Sequence, residues 1–314
     1  GNLYTPEAYQ LCKQLEFKNL LSKFDVSTLT EDPVEENFFT CADLSGAEAL
    51  FQKAACESYA GIELLADSEN VFGAAVAVNE DEVYYLPAEG LVTGEYLCGK
   101  IKNLAETTVI CAMDIKSLLK HVELTKPSQI FDTGIGVYLL NPLKSSYTYD
   151  DVAKEYLDGK LLPAREDLLG KTSFRKAWES SMEELMKYAC YSAYTVYCSR
   201  KAVENALREN EMWKVYQEIE LPLVFTLDSM EKYGIRVKGE ELKKYGDKLE
   251  VRIRELEKLI YVQAGEEFNI NSPKQLGMIL FDKMGIPGGK KTKTGYSTAA
   301  DILEKLAPEQ PIIK

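Results

Sequence analysis

The chain has 314 residues, 46% of them hydrophobic, with 37 basic and 50 acidic side chains, a net charge of −13, seven cysteines and one histidine. That apolar share suffices for one or two packed domains, while no apolar run reaches the roughly 18 residues of a membrane span and no basic-then-apolar leader opens the sequence. The odd set of cysteines (Cys12, Cys41, Cys56, Cys98, Cys111, Cys190, Cys198) has no CxxC pair, so it reads as reduced and cytosolic rather than as a disulfide frame or zinc site, and the lone His121 argues against histidine-dependent catalysis or metal binding.

Thr5-Pro6-Glu7 opens a helix with a cap, a proline and an acid in the first turn, and a polar, acidic linker follows from Asp25 to Asn37. Asp43 to Ala55 is expected as a short helix capped by Ser45. Three strand signals come next: Tyr59–Ala66, Phe72–Asn79 and Glu82–Leu86, the last two joined by the tight turn Asn79-Glu80-Asp81 as a hairpin. Thr107–Ala112 is a fourth strand, running into a helix from Asp114 to His121. Gln129–Asn141 begins as a strand and turns helical, and Tyr149–Leu157 is a short helix. A hairpin followed by strand–helix alternation predicts a mixed α/β sheet.

From Ser173 a long helical stretch reaches Asn210, with Ala177, Met182, Leu185, Tyr188 and Ala189 on a buried face. The next helix, Trp213 to Tyr233, contains Pro222 and should break or kink there, with Gly234 at its end. In the helix from Glu240 to Ala264, Leu242, Tyr245, Leu249, Ile253, Leu256 and Ile260 recur at steps of three and four, as in the seam of an antiparallel helix pair.

The most informative stretch is Phe268 to Leu303. Ser272 and Pro273 form a helix start; Leu276, Ile279, Leu280 and Met284 share one face; Gly285 suits a left-handed C-cap and Pro287 prevents continuation. A flexible loop, residues 288–295, then carries Lys290, Lys291 and Lys293 and no acid. Ser297 or Thr298 can cap a second helix, with Asp301 completing a capping box after Thr298. Two helices joined by a mobile basic tip suit a polyanion. Residues 206–314 hold 18 basic and 18 acidic residues, which leaves 19 basic and 32 acidic in the first 205. The whole negative excess therefore lies in the first part, and any grip on phosphates must come from the second.

The run N-I-N-S-P-K-Q-L-G-x-x-L-F-x-K-x-G-I-P, followed by K-K-T-K-T-G-Y-S-T, closely resembles the thumb of bacterial family A DNA polymerases. The segment YQEIELPLVFTLDSMEKYGIRV is similar to the start of their palm, and NLYTPEAYQLCKQLEFKNLLSKF resembles the join between their 5′-nuclease and central domains. The resemblance implies three parts: a helix and linker over 1–36, a ribonuclease-H-like 3′–5′ exonuclease domain over 37–205, and the start of a polymerase domain with an all-α partial thumb over 206–314. It further implies that the chain is a piece of a longer cytoplasmic polymerase, since nothing here matches the palm aspartates or the fingers. DNA (the primer–template backbone, without base readout) and the rest of the polymerase chain are the implied partners. Magnesium belongs to the parent enzyme, and no cofactor is expected in this piece.

Working exonucleases of the family hold two divalent metals with four carboxylates, because two hard cations a few ångströms apart need anionic oxygens. In the matching positions this chain keeps Glu63, Asp114 and Tyr188. It has Gly61 in place of the first aspartate and Ser192 in place of the last, and neither offers a carboxylate. Asp67 and Asp132 are the nearest substitutes; Asp67 should face solvent and Asp132 should cap the following helix. The resemblance thus implies a folded domain without catalysis or metal, the alternative being an active exonuclease with rearranged carboxylates. For DNA, Asn269, Asn271, Ser272, Lys274 and Gln275 stand at a helix N-terminus suited to phosphate, and Lys290, Lys291, Lys293, Thr294, Ser297 and Thr298 form the tip. Ser272 and Thr298 suit capping and phosphate contact equally.

Overall fold

The structure, a computed structural model, describes residues 33–144, 146–292 and 295–313, together with isolated positions among the first 20. Most of the helix expected from Thr5 and the linker up to residue 32 lie outside the described residues, although Thr5 Oγ1 does accept the Ala8 amide at 3.2 Å. The chain divides into two compact units, residues 1–234 and 235–314. The division falls later than residue 206, because the helical run over 213–233 packs with the first unit.

The first unit is built on a six-stranded mixed sheet. Its strands are β1 (Phe38–Thr40), β2 (Tyr59–Ala66), β3 (Val71–Asn79), β4 (Glu82–Pro87), β5 (Val109–Ala112) and β6 (Ile130–Asp132), in the spatial order β1-β4-β3-β2-β5-β6. β3 runs antiparallel to both of its neighbours, β2 and β4, while β1 on β4, β5 on β2 and β6 on β5 are parallel. The mixed α/β class read from the sequence is the class observed. β1 was not foreseen; three residues at a sheet edge are too few to show a period.

The helices follow in order: α1 (Leu44–Ala54), α2 (Gly94–Leu104), α3 (Ile115–Leu119), α4 (Thr133–Leu140), α5 (Tyr149–Tyr156), α6 (Arg165–Leu169), α7 (Phe174–Ser180), α8 (Met182–Glu209) and α9 (Leu221–Tyr233). They cover both faces of the sheet. Along β3, Ala74, Val76 and Val78 join one hydrophobic cluster, with residues of α1, α2 and α3, and Ala75 and Ala77 join the other, with residues of α5, α7 and α8. Burial on both faces explains why the strand is almost wholly apolar rather than alternating. α8 is 28 residues long and contributes to both clusters.

Three local readings are corrected. α1 is capped by Asp43, whose carboxylate accepts the Gly46 amide at 2.9 Å, rather than by Ser45. The stretch from Ser173 is two helices, α7 and α8, separated at Ser181 (φ −150°, ψ 50°). Pro222 produces no break: the chain widens into a π-helical segment, Tyr216–Glu220, immediately before α9. Proline lacks an N–H and crowds the carbonyl four residues back, and a wider turn accommodates both.

The second unit contains α10 (Gly239–Ala264), α11 (Pro273–Gly277) continuing as a π-helical segment Met278–Lys283, the strand pair β7 (Lys291–Thr292) and β8 (Gly295–Tyr296), and α12 (Ala300–Leu306). It is helical apart from that short hairpin. Its small core joins Leu280, Phe281 and Ile286 to Leu276, Tyr296, Leu303 and Ile312. Gly265 closes α10 in the left-handed conformation (φ 76°), and Gly285 takes φ 65° as expected. The stripe on α10 is uncovered among the described residues: Leu242, Tyr245, Leu249, Ile253 and Leu256 are all exposed.

Candidate functional site

Side chains alternate along a strand, so Gly61 and Glu63 share one face of β2 while Ile62 enters the cluster on the other. α8 crosses the face carrying Gly61 and Glu63. Tyr188 and Ser192, four residues apart and therefore on one side of the helix, both meet Glu63. Ser192 Oγ donates to Glu63 Oε2 at 2.6 Å, and the Tyr188 hydroxyl favours the charged form of that carboxyl. Phe174 and Tyr149 pack against the Tyr188 ring, with centroids 5.4 and 5.8 Å away.

At Gly61 the helix is closer still. A Cβ added there would lie 2.2 Å from the carbonyl oxygen of Ala193 and 2.9 Å from Tyr197 Cβ. Backbone therefore fills the space that an aspartate side chain needs. The sequence carried this signal, since a glycine inside a strand marks close approach of another backbone.

Burial pushes the Glu63 carboxyl up to about 7, and the charge of Asp114 adds to the rise, against the opposing hydrogen bonds from Ser192 and Tyr188. Desolvation disfavours the charged form and wins over two donors. Asp114 is exposed and caps α3, accepting the Ser117 amide at 3.1 Å and the Ser117 hydroxyl at 2.7 Å. Asp132 is buried and binds two helix starts, taking the Ile135 amide on one oxygen and the Ile115 amide on the other, both at 2.8 Å. Its burial likewise pushes it up to about 7. Asp67 is half-buried, with its oxygens on the Glu69 and Asn70 amides and on Arg175.

Each candidate carboxylate is thus already committed. Among the described residues, no group of three or more His, Cys, Asp or Glu side chains stands where it could hold a metal ion. The residues present do not fit a two-metal centre. A cavity of about 260 Å³ beside Asp114 and Asp132 is lined mainly by Met113, Ile135, Val224 and Leu227, and Glu63 does not reach it.

In the second unit the residues read as DNA-facing fall into two groups. Asn269, Ser272 and Gln275 bond to one another: Gln275 Oε1 accepts the Asn269 amide at 2.8 Å, Asn269 Oδ1 accepts the Asn271 amide at 3.0 Å, and Ser272 Oγ accepts the Gln275 amide at 3.4 Å. Lys274 and Asn271 are exposed beside this cap. Lys290 and Lys291 are exposed at one side of the hairpin, where Ser297 donates its amide to the Lys290 carbonyl and Lys291 lies opposite Tyr296. The segment read as a flexible loop is therefore paired at its base. Lys293 and Thr294 lie outside the described residues. Ser297 and Thr298 are half-buried, and neither caps the last helix, whose N-cap is Ala299. Ser297 is instead used by the hairpin.

An α/β body followed by a helical unit with a paired basic tip is an architecture with solved counterparts. The chain matches the structure titled "POL domain of Pol1 from M. smegmatis complex with DNA primer-template and dNTP", with a TM-score of 0.60 and 21% identity over 88% of this chain and 46% of that one. Residues 239–314 match DNA polymerase family A. The chain is 36% identical over 248 residues to DNA polymerase I of Bacillus subtilis and 32% identical over 308 residues to that of Geobacillus stearothermophilus, covering 78% and 97% of itself. Its second unit thus matches the family A DNA polymerases and the chain as a whole is similar to a piece of them; it spans 28% and 34% of the length of those two relatives. Among the described residues no helix is long and apolar enough to cross a membrane.

Proposed function

We propose that the chain is part of a bacterial DNA polymerase I, acting in the cytoplasm. In this reading its first unit is a 3′–5′ exonuclease-like domain without catalysis, and its second unit is part of a thumb that holds the primer–template backbone. Template-directed synthesis, with magnesium, belongs to the whole enzyme. The first unit serves as a scaffold against which the rest of the polymerase packs.

The observation that carries the inactive reading is the Glu63–Ser192 hydrogen bond over Gly61. A phosphodiester hydrolase of the two-metal type needs anionic oxygens free to clamp the cations. Here one surviving carboxyl is bound to a hydroxyl and the other caps a helix. The expected result is no release of 3′ nucleotides from single-stranded DNA in manganese or magnesium. Digestion above a mock-purified control would sink this reading.

The thumb reading rests on the neutral charge balance of residues 206–314 and on the exposed Lys274, Lys290 and Lys291. Contacts of lysine with phosphate are sequence-independent and salt-sensitive. Replacing Lys290, Lys291 and Lys293 with glutamate is expected to weaken duplex binding and to flatten the log–log salt slope by about 0.9 per lost phosphate contact. A titration indistinguishable from that of the unaltered chain removes the tip from the interface. The exposed stripe on α10 fits a partner helix supplied by the remainder of the polymerase.

A further inference from the structure

We propose that Gly61, Glu63 and Ser192 form a steric seal that fastens α8 to β2, so that putting carboxylates back at positions 61 and 192 does not recreate a metal site. This deepens the inactive reading given above and rests on it. Loss of ligands alone would leave an open cleft that lacks charge. The geometry here is different. The carbonyl of Ala193 occupies the position a side chain at residue 61 requires, 2.2 Å from the nearest possible Cβ. That oxygen belongs to the helix backbone, so no rotamer change relieves the clash. One residue earlier, Ser192 is almost fully buried and donates to Glu63. One turn further along α8, Tyr197 packs on Tyr59 with ring centroids 4.8 Å apart. The helix is thus held on both sides of the closest approach, and close-packed interiors do not yield by small increments.

The seal makes Gly61 and Ser192 a complementary pair. The glycine admits the helix backbone, and the serine is short enough to fit beneath it while satisfying the carboxyl it meets. An aspartate at 192 would set a second carboxyl against Glu63 in a site where like charges cannot both ionise without cost.

The test is thermal unfolding of the full chain, with and without millimolar manganese, for Gly61→Ala, Ser192→Ala, Ser192→Asp and the double variant Gly61→Asp/Ser192→Asp. A ligand that binds only the folded state raises Tm by mass action. The seal predicts that Gly61→Ala lowers Tm more than Ser192→Ala does. It also predicts that Ser192→Asp lowers Tm and that manganese changes its Tm no more than that of the unaltered chain. Failure of the double variant to fold is also expected. A manganese-dependent rise in Tm for Ser192→Asp overturns the seal, and so does an unchanged Tm for Gly61→Ala. Either result can occur while the unaltered chain remains without nuclease activity, so the seal can fail and leave the inactive reading standing. Nuclease activity of the unaltered chain is the separate result that removes that reading.

Discussion

The two units put polar side chains to opposite uses. In the first, carboxyls of the type suited to metal chemistry are already hydrogen-bonded within the unit: Glu63 to Ser192, Asp132 to two helix starts, Asp114 to Ser117. In the second, Lys274, Lys290 and Lys291 stand exposed, and the apolar stripe of α10 is uncovered among the described residues. Residue type alone does not separate these cases, since both units contain acids, hydroxyls and lysines in helix-start positions. What separates them is that the carboxyls of the first unit are hydrogen-bonded within it, whereas in the second only the amide and hydroxyl side chains of the α11 cap are so used and the three lysines stand exposed.

The largest expected effect that would sharpen this contrast is at Tyr216. Its ring is fully buried against Phe131, 5.4 Å away, and its hydroxyl donates to the Asp132 carbonyl and accepts the Asp132 amide. Tyr216→Ala should cost about 3–5 kcal/mol of stability, read as a fall in the urea midpoint. A loss below about 1 kcal/mol would show the first unit to be far looser than its packing indicates.

Next is the pH dependence of Glu63, whose carboxyl is raised from 4.5 to about 7 by burial. The folded state favours the protonated form, so its stabilising contribution is complete below about 4.5 and is lost as pH rises through 7. Stability should therefore fall between pH 5 and pH 8 by an amount on the order of a few kcal/mol. Asp132, likewise raised to about 7, contributes a fall of the same sign in the same window, so Glu63→Gln should reduce the slope without abolishing it, and an unaltered slope in the variant would assign the titration elsewhere.

Ser192→Ala is smaller. It leaves Glu63 short of one partner and is expected to cost about 1–3 kcal/mol, measured by chemical denaturation. The smallest effect belongs to the second unit: Leu249 is 44% exposed, so Leu249→Ala should change the stability of this chain by less than about 0.5 kcal/mol. A large loss there would mean that the stripe is already covered in solution, which would break the comparison.

Much of the fold was legible in the sequence because periodicity and punctuation are local. The β3–β4 hairpin turned at Glu80 and Asp81, the Ser272 cap, and the left-handed Gly285 follow from a few adjacent residues. The role of Asp132 as a cap was legible for the same reason. The break at Ser181 was not, because apolar residues continue at helical spacing across it. The seal at Gly61 was legible only as a glycine in a strand; the carbonyl that requires it lies 132 positions further along the chain. The cap of the last helix differs from the expected one because the backbone of Ser297 is held in the hairpin by its amide bond to the Lys290 carbonyl, and the helix starts later, after Ala299.

The π-helical segment before Pro222 has a consequence for how the chain tolerates changes of length. Tyr216 and Leu221 are both buried in the first unit although they stand five positions apart. At 3.6 residues per turn they would point about 140° apart, and the wider turn brings them to one side. Removing one residue between them would leave a spacing of four, about 40° apart in an ordinary α-helix, so both rows would still meet the sheet. Adding one would turn Leu221 away from it. The segment therefore accommodates shortening more readily than lengthening, an asymmetry to be expected in any comparison of relatives aligned across this point.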